Sequence, residues 1–553
     1  MKPVINHFRK EHEHQTLNRK KMAIAKIMIR LKVTFLFVLI CTLVSLPELL
    51  AQTLNADELP EEITITIDEA IQLALVNNYM LRKGWLDIEM SEEQIREAWS
   101  SVYPQVNASG SYTRNVISPN PFAGSEAGGL FELFGALEWL TFNEGARTDS
   151  DDTTEPISFD EFLERQEEGM QDAGISMEMD ENPFAVDNQF QFGVSISQTL
   201  YNGAAFAAIR GARQARQLNQ DMIDREKQVV VDQIKNSFYS ALLAQEQKSV
   251  LETSVQRLER TVEETRKSVE AGVLSNYDQL SAEVELVNIE TNLLEAENSA
   301  ELAVKNLSLQ LGIPVQTKLT LEGSLEFDGQ LTPEMLSAED AYQIAIERRP
   351  DISQSEQFLE LLDINRRITR SGYLPRVNAF ADAAYIGQVP DNRQVVSQVP
   401  GESFQFTSRQ RSFFSNAYWE PSFAVGIQLQ WNLFSGFQTR AQEQQNLIEI
   451  RQTEIDQEML KNSIYLEVEQ VIKDLETSYK RIMSQERNLE QAQVNYDNAL
   501  RRLQEGIGTP LEERQASNLL DQSRLNYLSA VYDYLTSVSR YERITGQPVL
   551  ESY

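Results

Sequence analysis

The strongest constraint on the fold is a pattern written twice. Glu69-Ala70-Ile71-Gln72-Leu73-Ala74-Leu75 aligns with Asp340-Ala341-Tyr342-Gln343-Ile344-Ala345-Ile346 at an offset of 271, and Pro104-Gln105-Val106-Asn107-Ala108 aligns with Pro375-Arg376-Val377-Asn378-Ala379 at the same offset. Gly193 and Leu200-Tyr201-Asn202-Gly203 align with Gly426 and Leu433-Phe434-Ser435-Gly436 at an offset of 233. Gly272 and Leu311-Gly312-Ile313-Pro314 then align with Gly506 and Thr545-Gly546-Gln547-Pro548 at an offset of 234. The landmarks keep their order, which marks an internal duplication. The drop in offset falls between Pro104 and Gly193, so the first copy carries the longer loop.

Each copy reads as helix, strand, loop, strand, long helix, turn, helix. Repeat 1 spans 68–314 and repeat 2 spans 339–548, joined by an equatorial linker at 315–338; 52–67 is an N-terminal segment and 549–553 a tail. The first helix, 68–103, ends at Pro104, which cannot continue it. Strands are expected at 105–113, 189–200, 376–386 and 422–433, with loops at 114–188 and 387–421. Phe190, Phe192, Val194 and Ile196 alternate with polar or small residues, as do Phe423, Val425, Ile427, Leu429 and Trp431. This period of two gives one apolar and one polar face. The lengths suit the roughly 9–11 residues of a tilted membrane-crossing strand, so these nine residues are the candidate lipid-facing set.

The other half of each copy has a helical period. Val468, Val471, Leu475, Ser478, Ile482, Gln485, Leu489, Ala492, Tyr496, Ala499 and Leu503 step by three and four. Leu251, Val255, Leu258, Val262, Thr265 and Val269 do the same, as do Leu286, Ile289, Leu293, Ala296, Ala300, Ala303 and Leu307. These are coiled-coil seams. The helix 204–271 would extend about 100 Å at about 1.5 Å per residue. The helices 68–103 and 275–311, stacked end to end, match it; 437–505 relates in the same way to 340–374 and 510–545.

Residues 1–51 read as a signal peptide with an N-terminal extension. Lys20, Lys21, Lys26, Arg30 and Lys32 precede the apolar run Val33–Leu46, and Leu49-Leu50-Ala51 suits cleavage. Initiation at Met22 is the alternative start. Cys41 sits mid-run behind Val38-Leu39-Ile40, which lacks the small residues of a lipoprotein site, so it reads as a signal-peptide cysteine. Removing this segment takes His7, His12, His14 and Cys41 with it. A chain without histidine or cysteine has no disulfide, no Cys or His metal ligand and no Ser-His-Asp or Cys-His nucleophile. No cofactor is expected. The remaining balance, 41 basic against 80 acidic residues, is −39, which repels nucleic acid. No stretch of about 18 apolar residues follows Ala51, so any membrane entry must be as a barrel. Closed barrels need about eight strands or more, and one chain supplies four. Several chains must therefore share one barrel: three would give twelve strands and a wet lumen.

These residues together resemble the TolC-like outer-membrane factor family. The opening pattern reads Ile65-Thr66-Ile67-Asp68-Glu69-Ala70 with Ala74-Leu75-Val76-Asn77-Asn78; Arg349-Pro350-Asp351 stands in the second copy. The strand-to-helix signature is Trp431-Asn432-Leu433-Phe434-Ser435-Gly436, and the tip signature is Gly272, Asp278, Leu280 and Ala282. The resemblance implies an α+β membrane protein. Its expected form is a homotrimeric, 12-stranded outer-membrane β-barrel in lipid, continued by a long periplasmic α-helical barrel. It also implies an exit channel that receives cargo through a periplasmic membrane-fusion adaptor and an inner-membrane pump of the RND or ABC type. The family closes its inner end with acidic residues: Glu512 matches the first, Gln515 stands at the next, and Gly508 occupies a basic position. Glu512, repeated by symmetry, is the candidate gate ring, against a plain helix-start glutamate favoured by the dipole. Asp278 reads as a helix-start residue at the adaptor contact, and Gly272 and Gly506 as turn glycines.

The first loop, Asn115–Asn188, holds 18 acidic residues with only Arg147 and Arg165 as bases. It reads as a solvated extracellular loop with a short helix near Leu130–Leu140; a lid or a divalent-ion site is the sharper alternative. Arg393, Arg409 and Arg411 of the second loop are candidate partners for it. A glycosidase built on paired carboxylates lacks any substrate cleft in the sequence. A periplasmic structural coiled-coil protein explains the helices and leaves four amphipathic strands unused.

Overall fold

The structure is a computed structural model that describes residues 62–117, 129–148, 155–174, 186–327, 329, 331–332 and 336–546. The expected signal peptide, Cys41 and the tail lie outside the described residues. The first half runs β1 (Glu62–Ile65), α1 (Ile67–Asn77), α2 (Tyr79–Ser100), β2 (Gln105–Arg114), α3 (Gly129–Thr148), α4 (Phe159–Asp172), β3 (Asn188–Tyr201), α5 (Gly203–Glu270) and α6 (Asn276–Leu311). The second runs β4 (Lys318–Leu321), α7 (Ala338–Arg348), α8 (Pro350–Arg370), β5 (Arg376–Val389), β6 (Gln394–Gln398), β7 (Phe406–Gln410), β8 (Trp419–Gln430), α9 (Gln438–Gln504) and α10 (Pro510–Ile544).

The two leading helices expected to be continuous are each broken. Asn78, at ψ 131°, ends α1 and caps α2 by accepting from the Met80 N–H at 2.8 Å. Pro350 occupies the first turn of α8, and its ring disfavours a helical residue before it; Arg349 is accordingly extended, at ψ 126°. The expected linker holds β4, which pairs in parallel with β1 from Glu62↔Lys318 to Ile65↔Leu321. Both loops carry structure beyond the expectation. The first contains α3, longer than Leu130–Leu140, and α4; the second contains the β6–β7 hairpin.

Four strands form one antiparallel sheet in the order β2-β3-β5-β8. The register aligns the apolar positions into one face. Ala108 pairs with Val194, Val194 with Ala383, and Ala383 with Phe423; Val106, Ile196, Ala381 and Val425 form the next row. Asn107, Ser195, Asp382 and Ala424 line the reverse face. Phe423, Val425, Ile427 and Leu429 are 63–74% exposed, far more apolar surface than a water-facing sheet tolerates. Trp431 is a correction: β8 ends at Gln430, and the Trp431 indole donates to the Tyr373 carbonyl at 3.0 Å. At the other end of the sheet Trp419 is buried beneath Phe190, Phe192, Tyr385 and Phe414 and lies over Gly387, where a Cβ would meet its ring at 2.8 Å.

The helices form a layer whose axis is α5, 68 residues long and about 100 Å in extent. Nearer the sheet α5 packs on α2 and α8; farther from it, on α6 and α10, while α9 packs on α7 and α8 and then α10. The buried residues of α9, Ile464, Val468, Val471, Leu475, Ser478 and Ile482, follow the heptad spacing and face this layer. Two flanks stay open. Leu280, Val284, Val287, Leu294, Leu302 and Leu309 form an exposed second stripe on α6, and Ile455, Met459 and Leu466 line a shallow groove on α9.

A buried ion cluster ties the halves at mid-height. Arg349 grips Asp351 through two nitrogens, at 3.0 and 2.7 Å, and reaches Glu467 at 2.9 Å; Arg543 joins Glu467 and Asp232 at 3.1 Å each. Burial opposes charge on Asp351, but Arg349 outweighs it and holds the carboxyl below its ordinary value. Removing Asp351 leaves Arg349 with Glu467 as its partner but takes away two charge-assisted hydrogen bonds, so Asp351→Ala is expected to cost about 1.5–3 kcal/mol. The exposed pair Arg96–Glu93 gives about 0–1 kcal/mol when broken. Thermal unfolding midpoints of Asp351→Ala and Arg96→Ala in detergent check the contrast.

Candidate functional site: the paired hairpin tips

Both long hairpins reverse at a glycine. Gly272 and Gly506 share φ +74°, in the left-handed region where a Cβ crowds the following carbonyl. Each closes the end of its long helix: the Val273 N–H donates to the Ser268 carbonyl at 2.8 Å, and the Ile507 N–H to the Arg502 carbonyl at 3.0 Å. The returning helix then starts on a reciprocal cap. The Ser275 hydroxyl accepts from the Asp278 N–H at 3.3 Å, while the Asp278 carboxylate accepts from the Ser275 N–H at 3.0 Å and hydroxyl at 2.6 Å. Thr509 and Glu512 repeat this arrangement on α10, with Pro510 in its first turn. The Ser275 hydroxyl chiefly holds the Asp278 carboxyl below its ordinary value, with help from its N–H and from the Arg514 charge.

Glu512 is thus engaged locally: it completes the cap and lies 3.6 Å from the Arg502 guanidinium. Gln515 is exposed one turn on. Gly508, at the expected basic position, has no room for a side chain, because a Cβ would stand 2.9 Å from the Leu503 nitrogen and 3.0 Å from the Arg502 carbonyl carbon. At the tips themselves Val273, Tyr277, Leu280, Ile507 and Leu511 are exposed.

Behind the caps lies a charged seam that sequence reasoning missed. Arg257 of α5 pairs with Asp521 of α10 and sits over the Tyr496 ring of α9. Arg514 of α10 donates to the Ser281 hydroxyl of α6 at 3.1 Å and lies 3.8 Å from Glu285. Glu513 is buried among them. The signal was available only as charge at positions 513, 514 and 521, which half a turn of rotation about the helix axis would place in solvent. Among the described residues no group of three or more His, Cys, Asp or Glu is placed to hold a metal ion.

At the far end the two loops meet through aromatics rather than the expected charges. Phe404 packs between Phe142 and Phe162 under Arg165, and a Cβ on Gly169 would strike its carbonyl oxygen at 1.8 Å. Arg393 and Arg411 instead cover Phe413 and Tyr418. Among the described residues no ion pair joins Arg393, Arg409 or Arg411 to the acidic loop.

The family model for outer membrane efflux proteins matches residues 172–313 and 341–547, more than half of the chain and both hairpins. The chain belongs to the outer membrane efflux protein family. Membership places it in the outer membrane as an efflux protein. The alkaline protease secretion protein AprF of Pseudomonas aeruginosa is 21% identical over 357 residues, 64% of this chain and 69% of that protein. The probable efflux pump outer membrane protein TtgC of Pseudomonas putida is 21% identical over 57% of this chain, the match spanning about half (53%) of TtgC. Among solved structures, the Campylobacter jejuni CmeC outer membrane channel shares the fold at a TM-score of 0.61 with 13% identity, covering 87% of this chain and 85% of that one.

In this outer membrane efflux protein the tip glycines admit few replacements. Gly506→Ala should cost about 1–2 kcal/mol locally through the left-handed backbone. Thr509→Ala should cost about 1 kcal/mol through the lost cap. Faster amide hydrogen exchange over 507–513, with exchange at mid-height unchanged, is the expected readout.

Proposed function

We propose that the chain is the outer-membrane exit channel of a tripartite export system, assembled as a homotrimer with a 12-stranded barrel and a helical barrel beneath it. The observation that carries this reading is the sheet with one apolar face and two unpaired edges, β2 and β8. In lipid each unpaired backbone group costs several kcal/mol, so those edges must meet copies of one another. The helical layer supports the same head-to-tail closure. Its open flanks differ, α2 and α6 on one side and α9 on the other, so the ring closes head to tail, with the α9 groove at the height of the next chain's α2 and the α6 stripe at the height of the tip half of α9.

A periplasmic membrane-fusion adaptor then docks at the tips, and an inner-membrane pump of the RND or ABC type supplies cargo. No nucleic acid, cofactor or catalysis enters this function. The relatives' names point to protein secretion and to efflux, so cargo is set upstream of this chain. Glu512, in three copies at the inner end, forms a ring that repels anions and binds cations, beyond its part in the cap. Asp278 and Gly272 lie on the hairpin that the adaptor grips.

The lipid-facing assignment separates this reading from a periplasmic structural rod. Ile427→Arg should destabilise the inserted barrel by about 2–4 kcal/mol, whereas Gln428→Arg, one residue on and facing the lumen, should be tolerated. The check is the heat-modifiable oligomer band in outer-membrane fractions, lost for the first and kept for the second. A chain recovered as a soluble monomer would defeat the proposal. In planar bilayers Glu512→Ala should raise single-channel conductance or weaken cation block; unchanged values of both remove the ring.

A further inference from the structure

The charged seam behind the tips joins the two hairpins of one chain and is only half satisfied. Glu513 is 3% exposed, and one of its carboxylate oxygens has no hydrogen-bond partner. The Nε atoms of Arg257 and Arg514 and one oxygen of Asp521 are also buried without partners. Both cations are already committed: Arg257 pairs with Asp521, and Arg514 lies against Glu285. Glu513 therefore has no ion pair of its own. Every packed element contributes to its surroundings: Arg257 and Glu264 from α5, with Arg260 beside Tyr496; Glu285 from α6; Tyr496 from α9; Arg514 from its own helix. An ionised Glu513 would be a fourth carboxylate facing two arginines that already have partners. Orphaned buried groups of this kind make a seam inexpensive to open, because water satisfies them on separation.

We propose that this seam is a proton-linked latch: the hairpins stay together while Glu513 carries a proton and part when that carboxyl ionises. Burial pushes the Glu513 carboxyl above its ordinary value; Arg257 and Arg514 pull it back without reversing the shift, and Glu264 and Glu285 add to it. The closed seam is the state with the raised value, and the open seam, with Glu513 in water, has the ordinary one. Closure is thus fully supported below the ordinary carboxylate range and is lost as pH rises through the raised value.

The latch builds on the channel reading, but its test does not need a conducting pore. Spin labels at Val273→Cys and Ile507→Cys, both exposed tip positions on opposite hairpins, report the hairpin separation in detergent. Cys41 is the only cysteine in the sequence, so replacing it leaves only the two labelled sites. The expected result is a distance that lengthens as pH rises and that stays short at every pH in Glu513→Gln. Glu513→Met, also uncharged, serves if the amide variant does not assemble. A distance unchanged by pH in the otherwise native chain, or a neutral variant that follows the same pH course, overturns the latch. Failure of the channel reading would show separately, as absent conductance in bilayers with the pH-dependent distance intact.

Discussion

Backbone groups in lipid have no water to turn to, and the whole architecture follows from how this chain satisfies them. Four strands pair internally through β2-β3-β5-β8 and leave two edges without partners. A soluble sheet would protect such edges with charge, proline or a bulge. Here the edge strand β8 has its charge and proline, Glu420 and Pro421, only at one end; beyond them it carries Phe423, Val425, Ile427 and Leu429 along its apolar face, with uncharged Gln428 and Gln430 opposite. Both edges therefore present an open row of backbone donors and acceptors.

The helical layer meets the same demand by a different route. Helices satisfy their own backbones, so the layer is held together through side chains. α5 and α9 each run the full height, while shorter helices stack end to end beside them, broken at Asn78 and Pro350. The Arg349–Asp351–Glu467 cluster lies near the break at Pro350. A buried ionic cluster adds little net stability over an apolar one. Its geometry is specific, however, and it sets the register of α8 against α9 at a joint where apolar packing alone would allow sliding.

Much of this was readable from the residues because two periods, two and three-to-four, are imposed by burial on one face. The inner strand β3 and the long helices fall within one or two residues of their expected ends, while β8 is displaced by three. The breaks were less legible: Asn78 lies in an unbroken apolar rhythm, and Pro350 at a helix start looks the same in sequence as a kink. The β1–β4 pair joins four-residue segments more than 250 positions apart, which no local signal reports. The Glu513 seam was illegible for a different reason. A glutamate three positions from a helix start reads as solvated, and only the approach of α5, α6 and α9 buries it.

Gly508 carries a consequence for how this turn can vary. Its missing side chain is not an open vacancy, because the end of the preceding helix fills the space a Cβ would need. A larger residue at that turn would therefore have to displace the helix end first. Variation in charge is channelled onto the first turns of the returning helix, where 512, 513 and 515 stand. Relatives with a compact turn of this kind should differ in which of those three positions carries charge while keeping the loop itself fixed.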